Sequence, residues 1–203
     1  MTQATGLTLE INGRAATAGE LRALALGGYG HFTAMQLRGG RTRGLQLHLD
    51  RLDAGPLPDS SLQQVAYQRS LAHLKHAGDF GQGYYGRLAG RNGFGEALLT
   101  GPDGLISEGS MTNIGFFDGT AVVWPAAAML PGITMQLVQA RLMLPRRHSP
   151  VRVAGLGSFS AVFITNSHGV AAVTQVDDRR LSVDTAFISM LKDCYESVPW
   201  EEV

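Results

Sequence analysis

Apolar residues along the chain follow two different periods, one typical of strands and one typical of helices. Alternating or continuous apolar runs predict strands at residues 7–11, 96–100, 105–117, 121–124, 159–165 and 171–176, and a hairpin over residues 32–47. Apolar residues three and four positions apart predict helices at residues 18–24, 48–53, 84–90, 133–142 and 183–195. Because these elements do not follow a strict strand-helix-strand repeat, they predict an α+β fold.

The strand predicted at residues 105–117 carries one acidic residue in an unusual setting. Residues 101–104 form a turn that leads into the strand, and Glu108 is followed by small residues rather than by other charges. A carboxylate in that position is available to a buried basic nitrogen. An edge-strand carboxylate in water fits the same local pattern, so the strand alone leaves both interpretations open.

A second candidate feature is the start of the helix predicted at residues 133–142. Pro131 and Gly132 interrupt the preceding apolar segment, and the helix then begins with Ile133 and Thr134. The free backbone N–H groups of a first helical turn, together with the Thr134 hydroxyl, suit a phosphate group. An ordinary helix cap explains the same residues, because threonine is a preferred capping residue.

Together the two segments resemble the class IV aminotransferases, the fold-type IV pyridoxal phosphate enzymes that include branched-chain and D-amino acid aminotransferases and aminodeoxychorismate lyase. The family pattern is an acid, Gly, Ser, two variable residues, Asn and an apolar residue, and later Gly-Ile-Thr. This chain matches it at residues 108–114 and 132–134. The resemblance implies a small N-terminal α/β domain (residues 1–70) and a larger barrel-like C-terminal domain (residues 71–203), similar to D-amino acid aminotransferase. It also implies pyridoxal phosphate between the domains, and a homodimer.

The lysines test the resemblance most sharply. The 17 lysine and arginine residues include only two lysines, Lys75 and Lys192. Lys192 falls on the amphipathic helix predicted at residues 183–195, where a solvated side chain is expected. Lys75 falls where the family places its Schiff-base lysine, counted back from Glu96. The resemblance therefore implies that Lys75 is the catalytic residue, and burial or a cationic neighbour such as His73 would favour loss of its proton.

Two further segments match phosphate-binding elements of the family. Residues 48–52 match its His-x-x-Arg-Leu element, whose arginine binds phosphate with a planar fork, and residues 164–167 match its last phosphate loop. The cofactor-binding residues implied by the resemblance are Arg51, Lys75, Glu108, Ser110, Asn113, Leu130, Ile133, Thr134, Asn166 and Ser167. His31, Phe32 and Thr33 lie where the family lines its substrate pocket.

The chain departs from the family pattern at three places. Only 24 positions separate Arg51 from Lys75, where the family has the rest of a small domain and a linker. We therefore expect either a trimmed domain or missing residues near positions 54–57. Met135 replaces the family's usual arginine after Gly-Ile-Thr, and Gly78 replaces an asparagine. These two substitutions concern the type of substrate more than cofactor binding.

The implied activity is a pyridoxal phosphate-dependent transfer of an amino group between an amino acid and a 2-oxo acid. The alternative is aminodeoxychorismate lyase, which eliminates pyruvate in 4-aminobenzoate synthesis. Residues 165–167 favour the lyase, whereas Ala34 occupies a position where the lyase often has threonine. A second alternative is a family member that has lost turnover and acts as a binding protein, which Gly78 and Met135 would suit.

Composition narrows the classes of partner. A net charge of zero, without a basic cluster, predicts no nucleic-acid partner. No apolar run approaches the ~20 residues needed to span a bilayer, and the N-terminus has no basic region before an apolar run, so we expect no membrane partner and a cytoplasmic location. The single cysteine, Cys194, cannot form an internal disulfide, and the six histidines lack metal-ligand spacing, so no metal is expected.

Overall fold

The computed structural model of the protein describes residues 10–11, 13–20, 57–75 and 80–199. Its contacts divide the chain into two units. One unit comprises Met1–Asp53 and His76–Gly78, and the other comprises Ala54–Lys75 and Asp79–Val203. The hairpin predicted at residues 32–47, the helix predicted at residues 48–53 and the segment at positions 54–56 lie outside the described residues.

The described part of the first unit is a short hairpin followed by the start of a helix. Strands β1 (Glu10–Ile11) and β2 (Arg14–Ala15) are antiparallel. Residues 18–20 are helical, and the Thr17 N–H donates to Glu20 (2.9 Å) while the Glu20 N–H donates to the Thr17 hydroxyl (3.4 Å), as in a capping box. Hydrogen bonds from Arg14, and then from Thr17, lower the pKa of Glu20 to about 2. These contacts support the helix predicted from residue 18.

The second unit is built on a nine-stranded sheet. Its strands are β3 (Ser60–Ala66), β4 (Glu96–Thr100), β5 (Ile106–Gly109), β6 (Asn113–Phe117), β7 (Val122–Pro125), β8 (Arg146–Ser149), β9 (Ala161–Asn166), β10 (Gly169–Val176) and β11 (Arg179–Arg180). In the order β5-β4-β3-β10-β9-β6-β7-β8, neighbouring strands are hydrogen-bonded, and β11 pairs with β10. β3 runs parallel to β4 and β10, and β7 runs parallel to β8, whereas the other pairs are antiparallel.

The large sheet curls back on itself. β5, at one end of the strand order, contacts β6 and β7, which lie near the other end. The beginning of β5 also bonds to the segment after β8, because the Ile106 N–H donates to the Val151 carbonyl (2.8 Å) and Leu105 forms an antiparallel bridge with Arg152. The expected α+β fold with a barrel-like larger domain is therefore confirmed.

Side chains that alternate along the strands pack into different hydrophobic clusters. Ile114 and Phe116 of β6 belong to one buried cluster, whereas Phe117 belongs to a second. Two helices, α2 (Ile133–Arg141) and α3 (Thr185–Glu196), contribute to the second cluster, contact each other and contact β9. Helix α1 (Phe80–Arg91) packs on β4 through a third, smaller cluster. The apolar period marks the buried face best in α3, which buries Phe187, Ile188 and Leu191.

Most predicted elements of the second unit are present with small changes at their ends. The strand predicted at residues 96–100 is β4, and the helix predicted at residues 133–142 is α2. The predictions at residues 121–124, 159–165, 171–176, 183–195 and 84–90 correspond to β7, β9, β10, α3 and α1. The continuous strand predicted at residues 105–117 is wrong, because β5 and β6 are separated by a turn at residues 110–112.

Three strands of the sheet, β3, β8 and β11, were not predicted because their sequences are polar. β3 has the sequence Ser-Ser-Leu-Gln-Gln-Val-Ala, yet it lies between β4 and β10 in the large sheet. β8 contains Arg146 and Arg147, both of which are exposed. Arg147 pairs with Asp118 (2.7 Å), and the backbone N–H of Ala121 contributes most to holding the pKa of Asp118 well below its usual range. None of the helices described is long and apolar enough to cross a membrane.

Candidate active site

Glu108 lies near the end of β5 with its carboxylate buried. The β5–β4 ladder pairs it with Leu99, and the side chain is only 4% exposed. Its Oε2 accepts a hydrogen bond from the Leu130 backbone N–H (3.1 Å). The alternative of an edge carboxylate in water is therefore excluded. The Leu130 bond is one of the about four hydrogen bonds that a carboxylate can accept.

Asn113 holds the other side of the same peptide segment. It begins β6 and is buried, and its Nδ2 donates to the Leu130 carbonyl (2.6 Å). Both backbone polar groups of Leu130 are thus bonded to side chains that the sequence pattern had singled out. The Asn113 Oδ1 lies so close to Gly132 that a Cβ there would be 2.0 Å from it. Glycine at position 132 is therefore required by packing.

The N-terminus of α2 follows directly. Gly132 is its capping residue and forms no side-chain cap hydrogen bond, so the first backbone N–H groups of the helix are not capped by that residue. Ile133 is 71% exposed, whereas Thr134 is buried and its hydroxyl donates to the Asn166 carbonyl (2.6 Å). An anion at this helix start would bind the backbone N–H groups, and the Thr134 hydroxyl would have to leave Asn166 to join them.

The turn between β9 and β10 brings the last predicted segment next to α2. The Asn166 Oδ1 accepts from the His168 N–H (2.8 Å), and Ser167 is exposed. Thr165, which was not among the predicted cofactor-binding residues, is 1% exposed and pairs with Asn113 in the ladder between β6 and β9. Among the described residues its hydroxyl has no hydrogen-bond partner. In the sequence, the feature that could have identified Thr165 is a hydroxyl within the apolar run at residues 161–165.

Lys75 is the last described residue of the segment between β3 and α1. The loop is compact, because the buried Arg69 donates to the Leu74 carbonyl (2.8 Å) and the Leu74 N–H donates to the Leu71 carbonyl (2.8 Å). Leu71 has a φ of 50°, which is an unfavourable backbone conformation for leucine. Lys75 itself is exposed in the described chain, although burial would favour loss of its proton. The loop lies at the surface, with Leu71 also 63% exposed.

The remaining predicted residues divide into two groups. Ser110 is buried, and its hydroxyl donates to Glu96 (3.4 Å), a contact that stabilises the turn at residues 110–112. Its role in cofactor binding stays a prediction. Four residues lie outside the described ranges, and their roles also stay predictions: Arg51, His31, Phe32 and Thr33.

A cleft of about 310 Å³ adjoins the backbone on either side of the Glu108–Leu130 bond. Ser107 precedes Glu108, and Ala128 lies two residues before Leu130. Within the described ranges, none of the predicted cofactor-binding residues lines the cleft. Its lining residues are Gln68, Gly101, Pro102, Asp103, Leu105, Ser107, Ala127 and Ala128.

Comparison with known proteins decides the family. The family model described as "Amino-transferase class IV" matches residues 56–176, more than half of the chain. The chain belongs to the class IV aminotransferases. No curated protein matches this class IV family member.

Solved structures with similar folds agree with that assignment. The fold IV-transaminase from Curtobacterium pusillum superposes with a TM-score of 0.62 at 20% identity, over 70% of this chain and 54% of that one. A PLP-bound hypothetical aminotransferase from Mycobacterium tuberculosis superposes with a TM-score of 0.63 at 19% identity, over 68% of this chain and 54% of that one. A putative 4-amino-4-deoxychorismate lyase from Legionella pneumophila superposes with a TM-score of 0.63 at 19% identity, over 77% of this chain and 63% of that one. At these identities the similarity shows the fold alone, and this family member spans about half to three fifths of the length of these proteins.

The contact between Gly132 and Asn113 makes a direct prediction for this class IV aminotransferase. We expect Gly132→Ala to lower the free energy of unfolding by about 1–3 kcal/mol, because the added Cβ forces Asn113 away from Leu130. Urea unfolding measures the change. Gly155→Ala is the matched control, since a Cβ there meets nothing within 4 Å. Equal stability of the two variants would contradict the tight packing at Gly132.

Proposed function

We propose that the protein is a pyridoxal phosphate-dependent aminotransferase that moves an amino group between an amino acid and a 2-oxo acid. The observation that carries the proposal is the connected path from the buried Glu108 carboxylate, through Leu130, to the start of α2. Pyridoxal phosphate has a basic ring nitrogen at one end and a phosphate at the other. A buried acid and a helix N-terminus joined by one short segment suit these two ends.

The described residues fit this cofactor in three respects. Leu130 joins Glu108, which accepts from its backbone N–H, to the start of α2, and its side chain would pack against a ring held between them. Because Gly132 has no side chain, the Asn113 side chain can approach its backbone closely. The helix start at Ile133 offers backbone N–H groups to an anion. The buried Thr165 hydroxyl, which has no partner among the described residues, is a further polar group close to the same helix start. Membership of the class IV family supports the same cofactor.

The proposed chemistry assigns one task to each end of the site. Bound pyridoxal phosphate supplies a carbonyl that condenses with amines and a ring that accepts electrons from the substrate α-carbon. Glu108, as a buried carboxylate, would keep the ring nitrogen protonated, because an anion stabilises an adjacent positive charge strongly where water is excluded. The backbone N–H groups of Ile133 and Thr134, with Arg51, Asn166 and Ser167, would bind the phosphate.

Lys75 would move the proton in this scheme. Its amine would attach the cofactor and then transfer a proton between the substrate α-carbon and the C4′ carbon, for which the amine must first be neutral. Because Lys75 is exposed in the described chain, we propose that a second copy of the chain covers it in a homodimer. The exposure of Leu71 and Leu74 on the same loop, and of Phe80 at the start of α1, supports a covering partner there.

Aminodeoxychorismate lyase is the second candidate function. Thr165-Asn166-Ser167 favours it, and a putative enzyme of that name is among the structures with a similar fold. Transamination and this lyase reaction would use the same Lys75 and Glu108 and differ in whether pyruvate is eliminated. A protein that binds the cofactor without turnover is the third candidate.

Amino-donor turnover separates these candidates. We expect the purified protein with pyridoxal phosphate to show a visible cofactor band that an amino acid donor bleaches and that pyruvate or 2-oxoglutarate restores. A panel of D- and L-amino acids identifies the donor, with the 2-oxo acid product measured by mass spectrometry. Release of pyruvate from aminodeoxychorismate, without bleaching by any amino acid, would indicate the lyase. A band that no donor changes would indicate a binding protein.

A further inference from the structure

Glu96 is a second buried carboxylate near the candidate site, and the proposed function does not use it. It begins β4 and is 8% exposed. Its Oε1 accepts hydrogen bonds from the Met111 backbone N–H and the Ser110 hydroxyl (3.4 Å), and its Oε2 accepts one from the Thr112 hydroxyl (3.0 Å). All three donors belong to residues 110–112, which we call the 110–112 turn.

The 110–112 turn joins the two side chains that hold Leu130. Glu108 lies two residues before the turn, and Asn113 begins β6 directly after it. The turn is closed by the Gly109 N–H, which donates to the Thr112 carbonyl (2.8 Å). Because only three residues separate the strands here, a change in the conformation of the turn moves both Glu108 and Asn113.

Close packing leaves the 110–112 turn little freedom on either side. A Cβ at Gly109 would lie 2.2 Å from the Thr112 Oγ1 and 2.6 Å from the Glu96 Oε1. From α1, Gln82 donates to the Ser110 carbonyl (3.3 Å), and a Cβ at Gly86 would lie 2.8 Å from the Ser110 Oγ. The turn is therefore held between Glu96 on β4 and the helix that follows the Lys75 loop.

The chemistry of the donors explains why position 96 carries an acid. A carboxylate accepts on both oxygens and has no donor, so it serves three converging donors, whereas glutamine has one acceptor oxygen and would point N–H groups at Thr112. Burial raises the pKa of Glu96, and the hydrogen bonds from Met111, Thr112 and Ser110 act in the opposite direction. A buried acid is costly unless its hydrogen bonds compensate for the lost water.

We propose that Glu96 is a positioning residue, which, by holding the 110–112 turn, sets Glu108 and Asn113 at the ring-nitrogen end of the cofactor site. This inference rests on the proposed function. Glu96 itself acts through the turn. Its removal should therefore change the environment of the ring nitrogen in a protein that still folds.

The test compares Glu96→Ala, Glu96→Gln and Glu108→Gln with the wild type, each loaded with pyridoxal phosphate that is isotope-labelled at the ring nitrogen. We expect Glu96→Ala to weaken cofactor affinity about tenfold. That is the effect of losing one charge-assisted hydrogen bond, the one that Glu108 would make to the ring nitrogen. The ring-nitrogen NMR shift of Glu96→Ala should move toward that of Glu108→Gln. Glu96→Gln keeps an acceptor for the Met111 N–H but turns N–H groups toward Thr112, so its shift should lie between those of Glu96→Ala and the wild type.

A milder variant covers the case in which Glu96→Ala fails to fold. Thr112→Val removes one donor and leaves Glu96 in place, and we expect a smaller shift in the same direction. Folded variants whose cofactor affinity and ring-nitrogen shift both equal those of the wild type would overturn the inference and leave the proposed function intact. A wild-type protein that takes up no pyridoxal phosphate would overturn the proposed function, and the inference with it.

Discussion

We expect Lys75→Ala to abolish the covalent attachment of pyridoxal phosphate and to lower amino transfer by at least about 10⁴-fold. A lysine amine is needed both to link the cofactor and to move the proton, and general acid–base catalysis alone contributes about 10²–10⁴-fold. The chain contains only one other lysine, Lys192 on α3, and it is exposed. Borohydride reduction followed by peptide mass spectrometry identifies the residue to which the cofactor is attached.

The two lysines give this experiment a matched control. Lys192→Ala should keep the visible cofactor band, the borohydride-reduced adduct and the activity, because α3 lies on the α2 side of the sheet and contributes no residue to the proposed chemistry. An adduct that persists in Lys75→Ala, or that maps to Lys192, would contradict the assignment. A wild-type protein with no adduct would remove the basis for every role assigned to Lys75.

The residues around Leu130 come from two short segments of the sequence pattern, although their contacts with Leu130 span 22 and 17 positions. Glu108 and Asn113 lie five positions apart, and Gly132 and Thr134 begin a helix whose period is visible in the apolar residues. The sequence pattern singled out these residues, and the structure bonds Glu108 and Asn113 to the two backbone polar groups of Leu130. The pattern did not show that the Thr134 hydroxyl bonds to Asn166, because that contact joins segments more than thirty positions apart.

Contacts distant in sequence explain the misses. Alternation continues through Gly109, Ser110 and Thr112, so residues 105–117 resemble one strand, and the turn becomes evident only when Glu96 is brought beside it. Glu96 precedes the apolar residues Ala97 and Leu98, and an acid in that position is typical of a strand that begins at the surface. Its burial follows from the curl of the sheet, which no local pattern reveals.

Polar strands were missed for a related reason. β3 joins the sheet through backbone ladders with β4 and β10, and its glutamines are only partly buried, so hydrophobic period does not identify it. The surface position of Lys75 was missed because a scarce lysine at the expected spacing says nothing about what covers it. Prediction from a single chain is weakest where a second chain would complete the site.

The second large effect is expected at Glu108. Glu108→Gln removes the negative charge but keeps an oxygen that can accept from the Leu130 N–H, so the protein should fold and bind pyridoxal phosphate within about tenfold of the wild-type affinity. We expect kcat to fall by about 10²–10³-fold, because a site without the charge no longer holds the proton on the ring nitrogen. Steady-state kinetics and cofactor titration measure the two quantities separately.

Two companion variants determine whether the loss at Glu108 is electrostatic. Glu108→Ala removes the charge and also the hydrogen bond to Leu130, so it should weaken cofactor affinity more than Glu108→Gln while lowering kcat at least as much. Asp178→Asn removes an exposed carboxylate in the turn between β10 and β11 and should change neither quantity. If Glu108→Gln retains the wild-type kcat, the carboxylate only supports Leu130, and the ring nitrogen of the cofactor must be protonated by another group or not at all.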